Sequence, residues 1–192
     1  MRKEKQDIYN FDDALNLSGR DLSGYKFIVF AGKSGSGKSS YISWLLSTHN
    51  EYMNQNHHTL MPHLVPFEKR QLPKDISILC IDELLHIRHF FEILPTLWNY
   101  KKYLIASHLP HSIISLLHVF GRTLIIQVDT NEKKISRYLA GLGYTASESV
   151  IHDYTLKYRA TYTDLHIILE TSTEKNFDIL YKQFHQTHSI HL

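Results

Sequence analysis

The chain has 192 residues, enough for one sizeable core or one core with a small appendage, and it carries no internal repeat of the kind that builds solenoids. Its formal charge of +2 is the small difference between 21 basic and 19 acidic residues, so no global field marks it as an obligate nucleic-acid binder. A single cysteine, Cys80, excludes an intrachain disulfide and a multi-cysteine zinc site. Together with a charged amino terminus where a leader would be apolar, it sets the expectation of a soluble, cytoplasmic protein without membrane insertion.

In chain order, residues 1–24 read as an amino-terminal extension. "YKFIVFA" (Tyr25–Ala31) is an apolar, β-rich run that predicts a buried parallel strand, and "SSYISWLLSTH" predicts a helix. Between them lies G-x-x-x-x-G-K-S without a mismatch, from Gly32 to Ser39. Three glycines let successive backbone N–H groups of Gly32, Lys33, Ser34, Gly35, Ser36 and Gly37 turn inward on one anion, and the helix that starts through Ser40 adds its positive end. In that pattern Lys38 reaches the outer phosphates as a point charge, and the Ser39 hydroxyl ligates an accompanying Mg²⁺.

Asn50 to Asp75 reads as connection with a short strand around His63 to Phe67. "ISILCIDE", "KYLIAS" and "TLIIQVD" are further strands; "LLHIRHFFEILPTLW", shortened or kinked by Pro95, and the brief "HSIISLLHVF" are the helices between them. This alternation predicts an α/β fold: a phosphate-loop core over 25–130 with a parallel sheet sandwiched by helices. From Asn131 onward the segments carry helical spacing, which predicts a small helical subdomain over 131–192. Thr145 and Glu148 form a capping-box pattern for its second helix, and Val150, Ile151, Tyr154 and Tyr158 share the core face of that helix.

The candidate chemistry gathers at strand ends. Asp82 and Glu83 emerge from a buried strand, where one carboxylate would hold Mg²⁺ and the other would orient or deprotonate an attacking water. Ser107 and His108 close the next strand, at the end where open parallel sheets bind ligands, and either could sense the outer phosphate. Arg122 precedes a strand, where a guanidinium could reach a neighbouring subunit's site; Arg137 and Arg159 are lesser candidates for that task. His86 with His89, and His108 with His111, lack an identifiable third ligand and are not taken as metal sites. Lys133, Lys134 and Arg137 concentrate positive charge at the start of the helical segment and are candidates for phosphate contacts with DNA.

From Tyr25 to about Glu170 this order resembles the AAA+ ATPases, and the stretch from Tyr138 to Glu170 looks somewhat like the lid of the initiator DnaA and its relatives. The resemblance implies ATP as the ligand and hydrolysis dependent on Glu83. Lys38 and Ser39 then match the phosphate and metal positions, Ser107 or His108 the sensor and Arg122 the finger. It further implies a DNA or DNA-bound protein partner and a homo- or hetero-oligomer. Thr163 stands where that subgroup would carry a lid arginine, with Arg159 a nearby substitute. A rival likeness, to ABC-type ATPases, rests on "SGSGKSS", "IDE" and "ASH" with Tyr9 or Phe11 as an adenine-stacking residue, but L-S-G-G-Q is missing before Asp82. A nucleotide-dependent switch with little turnover is a further alternative, as is a simple nucleoside or metabolite kinase, although a kinase needs no Asp-Glu pair.

Overall fold

The computed structural model describes residues 17, 19–62, 64 and 72–188. Most of the expected extension, including Tyr9 and Phe11, and the strand expected around residues 63–67 lie largely outside them. Two compact units are present. The first is formed by 17–33 and 37–128, and the second by the residues from 129 onward, with which 34–36 group.

The first unit is an α/β sandwich. Its strands are β1 (Phe27–Ala31), β2 (His57–Leu60), β3 (Ile78–Leu84), β4 (Lys102–Ser107) and β5 (Thr123–Gln127), all parallel, in the order β2-β3-β4-β1-β5. Its helices are α1 (Lys38–Thr48), α2 (Ile87–Ile93) and the four-residue α3 (His111–Ile114). All five residues of β1 are buried, because both sheet faces are covered. On one face Phe27, Val29, Leu79, Ile81, Tyr103 and Ile105 pack with Phe90 and Ile93 of α2. On the other, Phe30 stacks on Tyr41 of α1 with ring centroids 5.5 Å apart. Each such side chain contributes about 1.5–3 kcal/mol by leaving water. Pro95 falls at the start of a 3₁₀ turn, Leu94–Thr96, where its missing N–H costs nothing, so α2 ends at Ile93. The edge strand β2 fits into the connection after α1 although only a short stretch separates Lys38 from Asp82.

The second unit contains α4 (Glu132–Gly141), α5 (Glu148–Tyr158), α6 (Tyr162–Leu169) and α7 (Phe177–His188). Ile135, Tyr138 and Leu139 of α4, Ile151 and Tyr154 of α5, Leu165 and Ile168 of α6, and Phe177 and Leu180 of α7 form its core, with Val150 and Tyr158 packed against it. Asn131 caps α4 by accepting the Lys134 N–H at 3.0 Å, and Thr161 caps α6 through the Asp164 N–H at 3.2 Å. The capping box expected at Thr145 does not form. Ser147, not Thr145, is the residue at the start of α5, and its N–H donates to Asp178 at 2.9 Å. Thr145 is spent in an isolated parallel bridge, with its N–H on the Lys175 carbonyl at 3.0 Å and its carbonyl accepting from Phe177 at 2.8 Å. A side chain-to-backbone cap was out-competed by a nonlocal backbone pair.

Candidate active site

The loop after β1 bends through two left-handed glycines, Gly35 (φ 70°) and Gly37 (φ 91°), the second of which starts α1. Lys38, the first residue of α1, is buried, and its Nζ donates back to the Lys33 carbonyl at 2.5 Å. Burial pulls its ammonium down to about 8, with Asp82 and Glu83 opposing the shift. A buried cation held at such cost is poised for an anion that would stabilise its charge.

Next along α1, the Ser39 hydroxyl donates to Asp82 Oδ1 at 2.6 Å. That bond joins the first turn of α1, which follows β1, to the carboxylate on β3, two strands from β1 in the sheet. Asp82 Oδ1 also accepts the N–H of Glu83 at 3.0 Å. Glu83 is exposed and has φ 57°, and the pairing of β3 with β4 shifts register between Ile81 and Leu84. The strand therefore does not stop at the acidic pair as the sequence implied. It bulges there and continues to Leu84, and the bulge re-aims the two carboxylates. A glutamate in the left-handed region carries strain of about 1–3 kcal/mol, of the kind that concentrates at working sites.

At the end of β4 the two candidates differ. Ser107 is completely buried; its carbonyl accepts the Gly32 N–H and its hydroxyl accepts the Leu109 N–H, both at 3.1 Å. His108 is half-buried, and its N–H donates to the Leu84 carbonyl at 3.0 Å. Its imidazole is held below the usual histidine range by burial and by Lys38, against the pull of Glu83 and Asp82. Ser107 thus secures the root of the loop, and His108 is the side chain of the pair that feels the charged groups. These backbone bonds from β4 to Gly32 and Leu84 join the glycine-rich loop to the bulge, and nothing in the residue types signals them.

Arg122 is not brought to this place. It precedes β5 at the amino-terminal edge of the sheet, opposite to the loop, with its guanidinium 4.5 Å from the Tyr25 ring centroid. It cannot serve its own chain's loop. In the second unit, Arg159 ends α5 with φ 53°. Lys134 Nζ donates to the Asp129 carbonyl, while Lys133 and Arg137 line an open cleft that also contains Glu132 and Glu148. His86 and His89 meet edge to face at 5.4 Å, and among the described residues no three His, Cys, Asp or Glu side chains gather as a metal site.

No family model matches the chain, and no curated protein matches it by sequence. Solved structures do. AMPPCP-bound DnaA from Aquifex aeolicus aligns with a TM-score of 0.58 and 16% identity over 92% of this chain and 65% of that one. The chain shares its fold with that structure, a parallel α/β sheet followed by a helical unit. The chain spans under two thirds of the DnaA chain it matches. More distant likenesses are to NtrX from Brucella abortus in complex with ADP (TM-score 0.44, 13% identity, 84% of this chain and 46% of that one) and to a DNA replication initiation factor (0.43, 13%, 93% and 58%). The parallel α/β architecture expected from the order of motifs is present as a fold. Among the described residues no helix is long and apolar enough to cross a membrane.

Proposed function

We propose that this chain binds ATP with Mg²⁺ on the loop from Gly32 to Ser39 and hydrolyses it, coupling nucleotide state to a DNA or DNA-associated partner. The observation that carries the reading is the 2.6 Å bond from Ser39 to Asp82, which brings the two motifs separated in sequence within reach of one ion. One hydroxyl and one carboxylate are too few to cage a cation alone, but they suit Mg²⁺, which takes its other ligands from phosphate and water. When bound, the ion would neutralise charge on the outer phosphate oxygens.

The chain's own groups divide the remaining work. Lys38 moves from the Lys33 carbonyl to the phosphates, the loop N–H groups hold the anion, and Glu83, exposed on the bulge, orients the attacking water and accepts its proton. His108 hydrogen-bonds the outer phosphate, while Ser107 keeps the loop in register. Arg122 acts, if at an active site, only at that of a second subunit. DNA contacts, where made, fall to Lys133 and Arg137, since Lys134 is turned onto its own backbone.

The test is steady-state ATP turnover as a function of Mg²⁺. Turnover is expected in the wild type, with Asp82→Asn requiring about tenfold more Mg²⁺ for half-maximal rate. Absence of turnover despite tight MgATP binding would support the switch alternative, and absence of both would reject the site.

A further inference from the structure

The amino-terminal edge of the same sheet lies at the opposite end of the strands from its own chain's glycine-rich loop. Three adjacent strands enter it on cations: Lys26 before β1, Lys102 opening β4 and Arg122 before β5. The registers Phe27 with Tyr103 and Phe27 with Thr123 place these entries side by side, about 4.8 Å apart from strand to strand. Exposed Lys101 adds a fourth charge. Lys102 is used internally, donating to the Leu22 and Ser23 carbonyls and lying 3.5 Å from Glu51. Lys26 is drawn toward an aromatic group. Its Nζ lies 5.3 Å from the Trp98 ring centroid and 5.4 Å from that of Phe27, and donates to the Phe120 carbonyl at 3.4 Å.

Beside this cation the surface is apolar. Trp98 is 68% exposed although its ring meets Phe120 at 5.5 Å, and Val119, next in the chain to Phe120, is 79% exposed. Leu116 is 44% exposed on the same 3₁₀ segment, Ser115–Val119. Large apolar side chains bordered by cations form a surface whose complement is apolar and acidic.

We propose that this edge docks an acidic amphipathic segment of a partner protein, with its apolar side on Trp98, Val119 and Leu116 and its carboxylates toward Lys26, Lys101 and Arg122. A nucleic-acid strand fits less well. Beside Trp98 the exposed side chains are Val119 and Leu116, which offer no ring for a second base to stack on. Because the edge lies at the opposite end of the strands from the phosphate loop, this docking is independent of the nucleotide assignment.

The experiment uses the full chain carrying Trp44→Phe, so that Trp98 is the only indole. A synthetic Leu/Glu amphipathic helix, its Leu/Lys counterpart and oligo-dT are titrated while Trp98 emission is followed. Saturable blue-shifting binding of the Leu/Glu helix alone is expected. Val119→Asp should weaken it about tenfold or more and Lys101→Glu less, both with unchanged affinity for MgATP. No saturable binding, equal binding of both helices, a preference for oligo-dT, or an emission shift that follows self-association in sedimentation would each overturn the proposal.

Discussion

At the carboxyl ends of β1, β3 and β4 the polar groups are turned toward one another: Ser39 on Asp82, Gly32 on Ser107, His108 on Leu84, Lys38 on Lys33. At the amino ends of β4, β1 and β5 the cations lie against aromatic rings or backbone carbonyls, with bare apolar side chains alongside. One sheet therefore carries a strained, hydrogen-bonded end and a relaxed, amphipathic one. The difference teaches that sheet polarity decides where chemistry can be assembled. Helix starts and loop N–H groups converge only beyond the carboxyl ends, while the amino ends offer surface.

The sharpest way to break this comparison is to disable one end without touching the other. Glu83→Gln keeps shape and hydrogen bonding but cannot accept a proton, so turnover should fall about a hundredfold or more with MgATP affinity retained. Steady-state kinetics on both proteins would check this; equal rates would remove Glu83 from the mechanism.

A smaller effect follows from Lys38. Binding a phosphate requires its ammonium, which in the free protein is lost above about pH 8. Affinity for MgATP should thus weaken by up to about tenfold per pH unit above 8, measured by calorimetry between pH 7 and 9.5. The sign for folding is opposite. The unfolded chain, with the ordinary value of 10.5, binds more protons than the folded one between about 8 and 10.5, so ligand-free stability contributed by this group rises with pH across that window.

Glu83→Gly separates strain from chemistry. Removing the side chain relieves the left-handed backbone, so the ligand-free protein should gain about 1 kcal/mol in denaturant unfolding while turnover is lost. A destabilised variant would show that the φ of 57° is not a stored cost. The smallest effect is expected at the other end: Arg122→Ala loses its contact with the Tyr25 ring but should leave the affinity of a single chain for MgATP unchanged within about twofold.

The strands and helices of the core were legible because each is written in short-range chemistry: continuous apolar runs for strands covered on both faces, glycines at positive φ in the loop, a proline where α2 stops. The meeting of Ser39 with Asp82 was implied by motif type alone. What residue types could not reveal is set by nonlocal backbone pairing. The bulge at Glu83 depends on register against β4, the division of labour between Ser107 and His108 depends on which one the turn buries, and the entry of α5 depends on a bridge from Thr145 to Asn176. The strand β2 escaped correct placement because "HHTL" is neither apolar nor alternating, as an edge strand can be.

Isothermal titration of MgATP against the wild-type chain and Lys38→Ala at pH 7 tests the central assignment most directly. Saturable binding by the wild type, weakened about a hundredfold or more in a variant that melts as the wild type does, is the expected result. Equal affinity in the two proteins, or no binding by the wild type, would contradict it.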